Sequence, residues 1–330
     1  MTPILSQFSR TDIREDNMTY KKKVLLLVNA AAGTGNAGGN TYHIVECLAK
    51  DGCEVTVYPL LPDQKGLGAE EIISSHDGQF DLIVCCGGDG TLNHVINAIM
   101  KLTHKVPIGY FPSGSTNDFA KSLGVPRKLA DNCAAISRGT AFSYDIGQFN
   151  QQYFNYIAAF GAFTAVSYQT SQNAKNSLGY PAYLLKSLSV FPESINYRCH
   201  MQIIHDGTAD EDDFLFGCVS NSSSIAGISA RDLKQIALND GLFEVLLIKA
   251  PDRLTDIAEI INGLMSGDFN RQSPYVRLFK TSHVQFISDD RTDWTLDGEY
   301  GGKTSTADIY NLQNAMQIMI PASLRPSLPV

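Results

Sequence analysis

The hydrophobic positions fall into two regimes along the chain. Up to about residue 140, short apolar runs alternate with stretches of helical spacing. Val24-Leu25-Leu26-Leu27-Val28-Asn29, Glu54-Val55-Thr56-Val57-Tyr58, Leu82-Ile83-Val84-Cys85-Cys86 and Val106-Pro107-Ile108-Gly109-Tyr110-Phe111 read as strands. Helices are predicted between them over 41–50, near 68–75, after Thr91, from near Thr116 and over 130–138. Strands spaced by helices predict a parallel, doubly wound sheet. Ligands of such sheets sit beyond the carboxyl ends of the strands. Three loops, after Asn29, Cys86 and Phe111, fall at those ends and are expected to converge.

After about residue 140 the pattern changes to short alternating or aromatic runs, at 153–163, 199–204, 214–219, 243–248, 283–287, 307–310 and 316–320. They predict an antiparallel sandwich or barrel, interrupted by helices near 180–188 and 253–265. A cleft between the two regions is the expected site. Residues 1–20 are polar and patternless and read as a mobile extension. Met18 is a candidate alternative start, and Lys21-Lys22-Lys23 a solvated strand entry. The division expected is 1–20 extension, 21–140 α/β domain, 141–305 β-rich domain, and 306–330 as a segment that returns to the first domain.

Composition narrows the classes. With 330 residues, 44% of them hydrophobic, the chain can bury a large core in two domains. A net charge of −8 argues against a general nucleic-acid binder and against a strongly basic membrane-docking surface. No apolar run reaches membrane-spanning length and no signal peptide is visible. The seven cysteines are scattered without a C-x-x-C pair, as expected of reduced, buried thiols in a cytoplasm.

The chemistry starts at Cys85-Cys86-Gly87-Gly88-Asp89-Gly90-Thr91-Leu92-Asn93. A strand, a glycine turn and a helix start make a place for phosphate: glycines let the backbone approach the ligand, and free N–H groups favour an anion. Asp89 would repel bare phosphate, but makes sense if it holds a magnesium ion or its water shell. The plain alternative is a strand-to-helix turn with Asp89 as cap. The first loop, Gly33-Thr34-Gly35-Asn36-Ala37-Gly38-Gly39, contains a formal G-x-G-x-x-G. The acid such a dinucleotide fingerprint needs is absent where the second strand ends, at Val57-Tyr58-Pro59-Leu60, and no Gly-Lys-Ser/Thr follows. The third loop, Pro112-Ser113-Gly114-Ser115-Thr116-Asn117-Asp118-Phe119-Ala120, reads alone as a helix cap and beside the second as the other jaw of a nucleotide clamp.

With these elements placed, the chain resembles the diacylglycerol kinase catalytic-domain family of lipid kinases, in its soluble bacterial branch related to sphingosine and ceramide kinases. Ser113-Gly114-Ser115-Thr116-Asn117-Asp118-Phe119-Ala120-Lys121 is similar to that family's G-T-x-N-D-x-A-R segment. Tyr144-Asp145-Ile146-Gly147, Asn239-Asp240-Gly241-Leu242-Phe243-Glu244-Val245 and Leu296-Asp297-Gly298-Glu299 resemble its I-D-x-G, D-D-G-x-L-D-V and D-G-E segments. The first motif departs from the family's N-P-x-S/A-G-x-G-K/R, reading Asn29-Ala30-Ala31-Ala32-Gly33-Thr34-Gly35-Asn36 without its proline and basic residue.

The resemblance implies a phosphofructokinase-like doubly wound nucleotide domain, a second β-rich sandwich domain, and ATP- and Mg2+-dependent phosphorylation of a lipid hydroxyl, diacylglycerol first. It implies that the loop backbones at Asn29, Ala30, Ala31, Ala32 and Gly33, and at Gly87, Gly88, Asp89, Gly90, Thr91, Leu92, Asn93 and His94, cradle the ATP phosphates, with Gly114, Ser115 and Thr116 opposite. Asp89, Asp118 and Asp145 are expected to form a carboxylate cluster for magnesium. Asp240 and the carbonyl oxygens of Ala237 and Leu242 are expected to hold a second, structural magnesium. Asp297 and Glu299 are the expected catalytic pair, two apart and so on one face of a strand; the plain alternative is a surface turn, since Asp-Gly is a hairpin signal. The acids at 211–213 and 289–290 read as solvated turns. Such an enzyme would visit the inner face of the membrane from the cytoplasm, with room for a homodimer. Competing readings are an NAD kinase-like small-molecule kinase, a non-catalytic nucleotide- or lipid-binding regulator, and a nicotinamide oxidoreductase.

Overall fold

A computed structural model describes residues 22–32, 36–114, 117, 119–120, 123–162, 197–221, 238–266 and 273–324. The expected N-terminal extension, the helix near 180–188, and Gly33, Ser115, Thr116, Asp118 and Ala237 lie outside the described residues. In the first region, β1 (Lys22–Val28), β2 (Cys53–Pro59), β3 (Leu82–Gly87) and β4 (Ile108–Pro112) run parallel in the order β2-β1-β3-β4. Successive residues of a strand point to opposite faces. Val24, Leu26 and Val28 therefore pack on Ile44 and Leu48 of α1 (Asn36–Lys50) and on Cys133 and Ile136 of α4 (Leu129–Arg138). Leu25, Leu27, Ile83 and Cys85 pack on Ile72 and Ile73 of α2 (Ala69–Ser75) and on Leu92, Val95, Ile96 and Ile99 of α3 (Asp89–Met100). Helices thus cover both faces, which is why these strands read as unbroken apolar runs.

One expectation is corrected here. Helix α1 begins at Asn36, so Gly38 and Gly39, read as loop, are helical. Glycine is a poor helix former, but the buried Ile44 and Leu48 anchor the helix on the sheet and packing outweighs propensity.

The rest of the chain is β-rich. It comprises β5 (Thr140–Phe149), β6 (Gln152–Phe154), β7 (Ile157–Gly161), β8 (Cys199–His205), β9 (Thr208–Ser220), β10 (Phe243–Lys249), α5 (Leu254–Ser266), β11 (Val276–Thr281), β12 (His283–Leu296) and β13 (Glu299–Ile320). Two strands change partners along their length. β9 pairs with β8 up to Phe214 and with β7 from Phe216; β12 pairs with β8 from Val284 to Ser288 and with β7 from Trp294. An irregularity in β12 between Ile287 and Thr292 makes the turn from one partner to the other. The circuit β7-β9-β8-β12 is closed, and Phe160, Phe286 and Trp294 fill it, with ring centroids 4.9–5.7 Å apart.

The acids at 211–213 and 289–290, expected in turns, lie within β9 and β12. Strand β9 is solvated over its first half, and there the charges are matched: His200 meets Asp213 at 2.9 Å and Glu211 at 3.1 Å, and Lys249 pairs with Asp212. β13 joins the two regions. Its first part pairs with β12, its second with β5, and Ile318 aligns in parallel with Ile108 of β4. One continuous 13-stranded sheet results.

Among the seven cysteines, all free, Cys47 is half-buried and the other six are buried. Burial pushes the Cys86 thiol up to about 11 and that of Cys218 up to about 12, which suppresses the reactive thiolate. Thiol titration of the native protein should therefore show one fast-reacting group, lost in Cys47→Ser, with the remainder reacting only after denaturation.

Candidate active site

The parallel register aligns Val28 with Cys86, Cys86 with Phe111, and Gly87 with Pro112, so the loops after β1, β3 and β4 leave the sheet at one edge. They are tied there. The Asn29 N–H donates to Cys86 O at 2.9 Å, Asn29 Nδ2 donates to Thr91 Oγ1 at 2.9 Å, and the Ser113 N–H donates to Gly87 O at 2.8 Å. Gly88 and Gly114 meet backbone to backbone, and a Cβ on Gly114 would lie 2.7 Å from the Gly88 Cα. Only glycine allows that approach. Gly88 caps α3 in an extended conformation, and Asp89 is the acid of the first helical turn, where the helix dipole favours it. The Tyr110 hydroxyl reaches Asp89 Oδ1 at 3.5 Å and Asn117 Oδ1 at 3.4 Å; burial and the Asp89 charge push its ionisation far up, so it stays a donor. Asn117, at φ 48°, closes the third loop by accepting from the Gly114 N–H and donating to Gly114 O.

Asp297 and Glu299 reach this edge from the β-rich region, but not as neighbours on one strand face. Leu296 pairs with Glu299, leaving Asp297 (φ 51°) and Gly298 (φ 86°) as the two residues of a tight hairpin turn. The turn gives the two carboxylates opposite environments. Asp297 is buried and takes five N–H donors. Asn93 Nδ2 (2.7 Å), the Asn155 N–H (2.7 Å) and Asn155 Nδ2 (3.1 Å) reach Oδ2; the Tyr156 (3.0 Å) and Ile157 (3.2 Å) N–H groups reach Oδ1. Burial raises the pKa of this carboxyl, opposed by those donors. Glu299 is exposed and lies over the first turn of α3: a Cβ on Gly90 would be 2.6 Å from Glu299 Oε1.

The backbones of Leu92 and Asn93 are expected at the phosphate cradle, and their side chains have other partners. Leu92 is buried in the core, which leaves only its backbone toward the loop. Asn93 directs its side-chain amide at Asp297 and at Tyr153 O (3.2 Å), because the turn of β12–β13 lies against that face of α3. Asn97, Tyr153 and Asn155 were not singled out in the sequence, although Asn93 and Asn97 stand four apart on one helix face. His94 is exposed on the same helix.

Of the expected cluster of Asp89, Asp118 and Asp145, Asp118 lies outside the described residues. Among the described residues no group of three or more His, Cys, Asp or Glu is arranged to hold a metal. Asp145 is fully buried in β5 and accepts from the Gly241 N–H (2.7 Å) and the Asn314 N–H (2.8 Å). The charge of Asp240 lies near it. Asp240 Oδ1 accepts the Leu242 N–H at 3.0 Å. Lys280 Nζ lies 3.5 Å from Asp240 and 3.0 Å from the buried Glu244, whose carboxyl is raised to about 7 by burial. Among the described residues, Asn221 Oδ1, Asn239 Oδ1, Glu244 Oε2 and both Oδ1 and Nδ2 of Asn311 are buried around this turn without a hydrogen-bond partner.

Comparison with known proteins places the chain in a family. The diacylglycerol kinase catalytic domain model matches residues 23–149, and the YegS C-terminal NAD kinase beta sandwich-like domain model matches residues 157–320. The diacylglycerol kinase of Bacillus subtilis is 32% identical over 247 residues, 74% of this chain and 78% of that protein. That of Staphylococcus carnosus is 27% identical over 305 residues, 92% of this chain and 97% of that protein. The crystal structure of a diacylglycerol kinase from Bacillus anthracis superposes with a TM-score of 0.67 at 20% identity, covering 92% of this chain and 98% of that one, and shows the shared fold. The matched catalytic and β-rich regions define a lipid kinase. The chain belongs to the diacylglycerol kinase family.

The two carboxylates should respond differently to loss of charge. Asp297→Asn brings an amide N–H group toward backbone donors that need an acceptor, a mismatch that costs about 1–3 kcal/mol for each buried group left unsatisfied. Its Tm should fall by several degrees in calorimetry, whereas Glu299→Gln, at an exposed position, should leave Tm unchanged.

Proposed function

We propose that the chain transfers the γ-phosphoryl group of ATP to the free hydroxyl of diacylglycerol, giving phosphatidic acid. The observation that carries this reading is the position of Glu299, whose carboxylate is pressed against Gly90 in the first turn of α3. A general base and an anion-binding helix start therefore share one place. In this reading the backbone at 29–32, 87–91 and 113–114 receives the phosphates. The first N–H groups of α3 lack intrahelical acceptors and point at them. The lipid hydroxyl approaches in line between Glu299 and the γ-phosphorus. Glu299 takes its proton as the new P–O bond forms and ADP leaves. Asp297, with both oxygens already occupied, holds the turn that aims Glu299 and does not itself move a proton.

Magnesium, when bound, supplies charge neutralisation on the transferring phosphates. Asp89 would hold it at the helix start, with Asp118 nearby in sequence and outside the described residues. A second, structural ion fits the Asp240 turn, where unpartnered buried oxygens of Asn239, Asn311 and Glu244 stand ready for a hydrated cation. Asp240 and the carbonyls of Ala237 and Leu242 would hold it, with Asp145 bracing the turn through the Gly241 N–H. The acceptor lies in a membrane, so the enzyme works at its surface; among the described residues no helix is long and apolar enough to cross one.

Labelled ATP with diacylglycerol in mixed micelles should yield labelled phosphatidic acid. Glu299→Gln should lose about 100- to 10,000-fold in kcat, as expected for removal of a general base, while calorimetric ATP affinity stays near that of the parent. Near-parental turnover in Glu299→Gln would overturn the assignment of the base; label on a different lipid would change the acceptor. Addition of magnesium without nucleotide should raise Tm, and Asp240→Asn should abolish most of that rise.

A further inference from the structure

Helix α3 carries two asparagines below its phosphate-facing start, and neither faces a ligand. Asn97 grips the backbone of Tyr153 in both directions. Its Oδ1 accepts the Tyr153 N–H at 2.9 Å, and its Nδ2 donates to Tyr153 O at 2.9 Å. The same Nδ2 lies 3.0 Å from both Asn93 O and Asn93 Oδ1. Holding Asn93 Oδ1 orients that amide so that its Nδ2 points at Asp297 Oδ2, 2.7 Å away. Tyr153 sits in β6, and the strand leads directly into the 155–157 backbone whose N–H groups fill the rest of the Asp297 carboxylate.

We infer that Asn97 is a positioning residue for phosphoryl transfer: it fixes the orientation of Asn93 and the place of β6, and through both it holds the Asp297–Glu299 turn over the start of α3. The side chain touches neither the expected phosphates nor Glu299. It acts because an asparagine can donate and accept at once, and both functions are used on one peptide unit. Isosteric leucine or truncated alanine provides neither. An aspartate in its place would retain the acceptor for the Tyr153 N–H and lose every donor contact. The consequence is a mechanical link between two regions of the fold, running from the helix that receives ATP to the hairpin that presents the base. The inference rests on the reading of Glu299 as the base.

The test uses the full chain with magnesium, ATP and diacylglycerol in mixed micelles, together with backbone hydrogen exchange in the absence of substrates. Asn97→Ala and Asn97→Asp are expected to lower kcat by about 10- to 100-fold, the cost typical of a displaced catalytic group, with KM for ATP little changed. Ile99→Val serves as a packing control, since Ile99 is fully buried on the same helix. It should lower Tm while leaving kcat near the parental value. In Asn97→Ala, exchange protection at 155–157 should fall about tenfold relative to β1, reporting a loosened Asp297 shell. Unchanged kcat in both Asn97 variants, or a kcat loss no greater than that of Ile99→Val at equal Tm, would overturn the inference. So would unchanged protection at 155–157, a readout that needs no turnover. If the parent chain phosphorylates no lipid, the functional reading fails and the exchange arm alone decides whether Asn97 positions the turn.

Discussion

The architecture depends on one buried carboxylate. Asp297 stands where three parts of the chain meet: the β12–β13 hairpin that contains it, the 155–157 backbone between β6 and β7, and the polar face of α3. Each part brings N–H groups that would be costly to bury without an acceptor, and a carboxylate offers enough lone pairs to take them all. The charge costs desolvation energy, and that cost is tolerable only while every donor is present. The result is a junction that is either fully assembled or strongly disfavoured. Such a junction suits an enzyme whose reacting groups come from different regions of its fold.

Assembly of the junction divides labour between two acids that sequence reading treats as equivalent. Asp297 is buried under five N–H donors; Glu299, two residues on, is exposed beside Gly90. Positive φ at Asp297 and Gly298 makes the difference, because the tight turn swings the two side chains to different surroundings. The same economy of backbone appears across the cleft, where Gly88 and Gly114 bring two loops together without side chains between them. Any larger residue would occupy that bare peptide surface.

A second polar centre lies around Asp145 and the 238–242 turn. There a buried aspartate orders backbone N–H groups, as Asp297 does, but the surrounding amide and carboxylate oxygens stay incompletely paired and a lysine lies at the edge. The contrast is physical. At Asp297 the chain supplies all the donors; at Asp240 several acceptors have none among the described residues.

Much of this was legible from the chain. Apolar runs separated by helical spacing determined the parallel sheet, and the placement of glycines after β3 and β4 determined where the loops converge, because strand direction alone sends them to one edge. The Asp-Gly pair carried the hairpin signal, through its tolerance of positive φ, that the expected strand-face placement of Asp297 and Glu299 passed over. Other features were not legible, since they depend on contacts between distant residues. The partner exchange of β9 and β12, the start of α1 within a glycine run, and the strand setting of the acids at 211–213 follow from packing that no local pattern encodes. The different surroundings of Asp297 and Glu299 were decided only where the β12–β13 turn meets α3 and the 155–157 backbone. A sequence specifies which residues can ionise; burial and the supply of donors, set by the tertiary structure, decide which carboxylate is locked in place and which stays exposed.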